Sequence, residues 1–101
     1  MPFLQTRALL VSDPEKYAQY RAEIAPLLEE TGGSFQYDFE IARTLKGKTQ
    51  HVINRLFVLQ FPDRAASERF FSDPRYIRIR IRLFEKAVAE QTIVAEQNAI
   101  A

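Results

Sequence analysis

From Ser34 the chain reads SFQYDFEIAR, with Phe35, Tyr37, Phe39 and Ile41 alternating against Gln36, Asp38 and Glu40. That period of two predicts a strand with one buried face. Phe3 to Val11 (FLQTRALLV) and His51 to Phe61 (HVINRLFVLQF) are β-rich as well, the second halted by Pro62. Their middles, Ala8-Leu9-Leu10-Val11 and Leu56-Phe57-Val58-Leu59, are apolar on both faces. Between the first two strands, Tyr17, Tyr20, Ile24, Leu27, Leu28 and Thr31 recur at the spacing of a single helical face. Asp13-Pro14 supplies its start, a carboxylate to cap free N–H groups and a proline suited to the first helical position. Gly32-Gly33 supplies its stop, and Pro26 inside it predicts a bend. Leu45 to Gln50, centred on Gly47, reads as a hairpin loop. Asp63 to Ser72 (DRAASERFFS) reads as a short helix with Ala66, Phe70 and Phe71 inward, and QTIVAEQN closes as the last strand before a loose Ala-Ile-Ala tail.

The stretch YIRIRIRLFEK over residues 76–86 fits two patterns. As a strand, three isoleucines oppose three arginines; as a helix, three isoleucines cost at most about 0.7 kcal/mol each against alanine, and arginine is a good helix former. Context favours the helix. Asp73-Pro74 repeats the start signal, and the alternation fails at Leu83-Phe84. Steps of about 100° put Ile77, Ile81, Phe84 and Val88 inward and Arg75, Arg78, Arg82 and Lys86 outward. Arg80 falls beside the apolar face, either snorkelling with its guanidinium at the rim or contacting an anion in a pocket beneath the helix.

The resulting order is strand-helix-strand-strand-helix-strand, an α+β domain spanning residues 1–101 with the ferredoxin-like arrangement and its antiparallel sheet. Strands one and three form the central pair. Two helices cover one sheet face, so central strands that are apolar on both sides leave a second apolar face uncovered. Apolar patches beyond a few hundred Å² rarely stay exposed on monomers, and a homodimer is the expected partner arrangement.

Composition narrows the function. Lys and Arg number 14 against 13 Asp and Glu, so no strong field draws the chain to phosphate or anionic lipid. RNA-recognition domains share this element order, but HVINRLFVLQF lacks their Lys/Arg-Gly-aromatic signature; no nucleic-acid partner is expected. The longest apolar run is about four residues against the roughly 20 of a membrane helix, so no membrane partner is expected either. Without cysteine, disulfides and thiolate sites are excluded and the cytoplasm is the default compartment. One histidine, His51, cannot build a usual metal set, and no metal or cofactor is expected. Asp38 and Glu40 share a strand face, which reads as solvated. The serines sit at element boundaries, where capping accounts for them, and Gly32-Gly33 ends a helix where a phosphate loop would open one.

What remains is a small-molecule pocket between helices and sheet, lined by Tyr17, Tyr20, Tyr37, Phe39, Phe57, Phe70 and Tyr76 or filled by them as core. Its candidate polar groups are Tyr37, His51, Arg55, Tyr76 and Arg80. Arg55 interrupts the apolar face of Ile53, Phe57 and Leu59 and needs a partner if buried.

SDPEKYAQY, GGSF, QFPDRAASERFFSDPRY and the closing TIVAEQ, in that order, resemble the bacterial domain-of-unknown-function family thirteen-thirty, in the dimeric α/β-barrel superfamily. The resemblance implies a ferredoxin-like subunit whose sheet packs on a partner's. It establishes no reaction. Relatives in the superfamily include cofactor-free monooxygenases and lactone isomerases, which leaves two expectations: a homodimeric small-molecule-binding protein or cofactor-independent enzyme, and a non-catalytic accessory module. The chain has Lys46-Gly47, Gln60-Phe61-Pro62 and Gly33-Ser34 where family members often have Glu-Gly, Glu-Phe-Pro and Gly-Arg, so no role of those groups is carried over.

Overall fold

Backbone caps set the boundaries in the computed structural model, which describes residues 1–99; of the expected tail, residues 100–101 lie outside the described residues. Strand β1 (Phe3–Val11) leads to helix α1 (Pro14–Glu30), whose first turn is closed by Asp13 accepting from the Lys16 N–H at 3.1 Å. Strands β2 (Ser34–Glu40) and β3 (Arg55–Phe61) follow, joined by a long loop over residues 41–54. Helix α2 (Arg64–Ser72) begins at Asp63, which accepts from the Ala66 N–H at 2.8 Å. Asp73 opens α3 (Pro74–Ile79) in the same way. A π-helical turn (Arg80–Phe84) and the short α4 (Glu85–Ala87) carry the chain into β4 (Val88–Asn98). The stretch over 76–86 is therefore helical. No helix among the described residues is long and apolar enough to cross a membrane.

The sheet order is β2-β3-β1-β4, antiparallel throughout, so the two strands with apolar residues on both sides occupy the middle and β2 an edge. The class is α+β with a ferredoxin-like arrangement. All helices lie against one face, where Tyr17, Tyr20, Ile24 and Leu28 of α1, Phe70 of α2 and Tyr76, Leu83 and Phe84 pack on Phe3, Leu9, Phe57, Leu59 and Phe61. One sheet and one helical layer make a slab of 32 × 32 × 17 Å.

Helix α1 ends where Gly32 adopts a φ of +77°. The left-handed region costs a residue with a Cβ about 1–2 kcal/mol, and here that Cβ would also lie 2.8 Å from Pro62 Cγ. Gly32→Ala is expected to cost about 2 kcal/mol, measured as a shift of the urea midpoint at unchanged slope. A loss below a few tenths of a kcal/mol would mean that the turn relaxes.

Several features depart from the sequence pattern. Strand β3 starts at Arg55 rather than His51, because residues 51–54 are taken up by the loop. Strand β4 starts at Val88, three residues before Gln91, so Val88 leaves the helix. Within the helical stretch, Ile81 is 53% exposed where it is expected inward. The Glu85 N–H reaches back five residues to the Arg80 carbonyl. That extra residue in the turn leaves a buried face of Tyr76, Leu83, Phe84 and Ala87, with Ile81 outside it.

The largest departure is in β2. Phe35 pairs with Leu59 and Tyr37 with Val58, so Gln36 is an extra residue with no partner of its own. A bulge of one residue moves everything after it to the opposite face. Phe35 faces the helices and Asp38 joins it there. Tyr37 and Phe39, expected under the helices, lie on the open face at 60% and 49% exposure.

Candidate functional site

The bulge divides the candidate residues between the two sides of the sheet. On the helix side, Asp38 is expected to be solvated, yet its side chain is only 14% exposed. Arg55, its diagonal neighbour on β3, donates to it through two nitrogens at 2.7 and 2.9 Å, a bidentate pair, and Arg21 of α1 donates to the same carboxylate. Arg55 thus has the partner its position demands, and the hydrogen bond to Asp38 is the main cause raising its already high pKa. The two guanidiniums also stack on aromatics, Arg55 on Tyr17 at 4.8 Å and Arg21 on Phe35 at 3.8 Å. Burial, and secondarily Asp38, pushes the Tyr17 hydroxyl well above the ordinary tyrosine value. With both oxygens of Asp38 engaged by arginines, this cluster is suited to holding α1, β2 and β3 together and ill suited to taking a proton from a substrate.

The aromatic set on this side is core. Tyr17, Tyr20, Phe57, Phe70 and Tyr76 are each at most 4% exposed, and they fill the space in which a pocket is expected. Tyr76 shares a 3.0 Å hydrogen bond with the Tyr20 hydroxyl, and burial raises both above the usual range. Arg80 lies at the rim beyond them, its guanidinium 3.9 Å from Glu85 and its side chain 41% exposed. That is the snorkelling arrangement.

The open face carries the cavity. Residues 41–54 arch over one end of it and enclose about 670 Å³ between the loop and the sheet, within the range of about 300–1,000 Å³ typical of ligand pockets. Ala8, Leu56, Ile93 and Val94 form the floor, and Ile41, Leu45 and Ile53 of the loop form the roof. The arch is tied down at both ends. Asn54 accepts from the Val11 N–H at 2.7 Å and donates to the Val11 carbonyl at 2.9 Å, while its own N–H reaches Leu9 and its carbonyl the Ile41 N–H. His51 spans to the far edge strand. Its Nδ1 lies 2.9 Å from the Val52 carbonyl, to which it donates, and its Nε2 lies 2.8 Å from the Thr92 hydroxyl.

Of the five residues singled out by sequence, Tyr37 and His51 lie on this open side, with Leu56, the register partner of Phe39, on the cavity floor. Arg55, Tyr76 and Arg80 are on the helix side, so the five do not form one site. Sequence reasoning passed over Lys46, Lys48 and Thr92, which line the cavity. A signal for the lysines exists: residues 41–54 contain Arg43, Lys46 and Lys48 and no acid. Among the described residues, no group of three His, Asp or Glu side chains could hold a metal ion.

Comparison with known proteins agrees with this architecture. The family described as a domain of unknown function, DUF1330, matches residues 6–97. A protein of unknown function from Rhodopseudomonas palustris superposes with a TM-score of 0.82 at 18% identity, covering 99% of this chain and 83% of its own. A DABB family protein with a ferredoxin-like fold from Mesorhizobium loti gives 0.66 at 14% identity, covering 99% and 98%. A dimeric ferredoxin-like protein of unknown function from Jannaschia gives 0.67 at 11% identity, covering 98% and 100%. At these identities the likeness concerns the fold. No curated protein matches the chain.

Proposed function

The chain belongs to the DUF1330 family, and from that premise and its own surfaces we propose that it is a homodimeric small-molecule-binding protein. Its sheets pack through their open faces, and the ligand chamber lies beneath the 41–54 arch. The observation that carries this is the stacked pair Tyr37 and Phe39, with ring centroids 5.6 Å apart, left half-exposed on a sheet face that no helix covers. Fully burying a large apolar side chain is worth about 1.5–3 kcal/mol. A lone subunit in this register therefore forgoes roughly 2–3 kcal/mol at these two positions while it buries a carboxylate on the other side. A second copy seated on the face restores that loss. A standard interface takes about 800 Å² from each partner, and a slab face of 32 × 32 Å is broad enough to supply it. The Jannaschia protein is described as dimeric, which supports a homodimer here.

The ligand half of the proposal is tested by thermal denaturation of the protein against a library of small amphipathic metabolites. At least one compound is expected to raise the midpoint. Ile53→Trp, which narrows the chamber without adding charge, is expected to reduce that shift while keeping the dimer. A dimer indifferent to every compound would favour a non-catalytic accessory module.

A further inference from the structure

We infer that the chamber takes an amphipathic anion, a small apolar body carrying one carboxylate or sulfonate head. This deepens the proposed binding function and rests on it. The walls divide the space chemically. Ala8, Ile41, Ile53 and Leu56 give an apolar interior, and Lys46 and Lys48 stand at the arch with the hydroxyls of Thr44 and Thr49 beside them. No acidic residue lines the space.

Among the described residues, Lys46 and Lys48 are the only cations lining the cavity, and half of the chain's other cations lie beside carboxylates. Arg21, Arg55, Arg64, Arg75, Arg80 and Arg82 each have a carboxylate oxygen within 4 Å. Lys46 and Lys48 have none among the described residues. In a chain of net charge +1, the arch therefore concentrates three cations, counting Arg43, with no acid among its residues. A neutral apolar ligand would leave those charges unused beside it. A dianion or polyphosphate would place more charge against an interior too apolar to solvate it. One anionic head at the arch with an apolar body on the sheet satisfies both halves.

Two fluorescent probes of nearly the same shape test the assignment. Anilinonaphthalene sulfonate carries the anion, and phenylnaphthylamine has the same aromatic body without it. Titrated into the wild-type protein, the sulfonate is expected to bind saturably at one site per subunit, about tenfold or more tighter than the neutral probe. In Lys46→Gln/Lys48→Gln the sulfonate is expected to weaken about tenfold while the neutral probe stays unchanged. Ile53→Trp is expected to weaken both probes. Equal affinity of the two probes for the wild type would overturn the inference, as would a sulfonate affinity untouched by the lysine substitutions or by Ile53→Trp. Sedimentation of the same samples keeps the two proposals apart. A dimer without charge selectivity defeats only the ligand class, whereas a monomer that retains selective binding defeats only the assembly.

Discussion

Asp38→Ala is expected to destabilise the subunit by about 3 kcal/mol. Removing one member of a buried ion cluster leaves its partners charged and poorly solvated, a loss of about 3–5 kcal/mol where burial is complete. The lower end applies, because the side chains of Arg55 and Arg21 keep 22% and 31% of their exposure. For a chain of 101 residues that loss lowers the thermal midpoint by about 12–20 °C. The triple replacement Asp38→Leu, Arg21→Met, Arg55→Met is expected to return to within about 1 kcal/mol of the parent, since apolar groups of similar volume remove the desolvation cost of all three charges. Differential scanning calorimetry of the two variants decides it. If Asp38→Ala shifts the midpoint by less than about 4 °C, the cluster does not hold the register of β2.

On the opposite face, Tyr37→Asp/Phe39→Asp is expected to give a monomer at micromolar concentration. Aromatic anchors at the centre of an interface contribute about 2 kcal/mol or more each. Losing both weakens association by about a thousandfold, before the cost of bringing two carboxylates against apolar surface is added. Both side chains are half-exposed in the subunit, so circular dichroism is expected to keep its far-ultraviolet signal. A variant that stays dimeric would place the interface elsewhere on the molecule.

These two substitutions act on opposite sides of one bulge, which is also where sequence reasoning reached its limit. The limits of β1, the caps at Asp13 and Asp73, and the buried stripe Tyr17-Tyr20-Ile24-Leu28 follow from local chemistry, and the pattern predicts them. The central placement of β1 and β3 follows from apolar residues on both their faces. Gln36 leaves no such mark. The alternation of SFQYDFEIAR is regular, and a regular strand would bury Tyr37 and Phe39 and expose Asp38. The bulge inverts that because Arg55 on β3 and Arg21 on α1 are already committed to the helix side and require a carboxylate there. That requirement links residues far apart in sequence.

The arch was obscured for a similar reason. Its form depends on Asn54 reaching Val11 and on His51 reaching Thr92, 43 and 41 residues away. The run from His51 to Asn54 therefore looks like the start of a strand but serves as a strut. Arg55 was legible as a residue in need of a partner, though the partner itself was not. Arg80 was legible beside the apolar face next to Tyr76; in the structure the Tyr76 hydroxyl bonds Tyr20 and the Arg80 guanidinium lies near Glu85.

Sedimentation equilibrium of the wild-type protein across the micromolar range probes the sheet-to-sheet assembly with no mutation at all. The expected mass is twice the subunit's 11.7 kDa, constant with dilution until the low end of the range. A single species at 11.7 kDa throughout would leave Tyr37 and Phe39 facing water, and the sheet-to-sheet dimer would have to be abandoned.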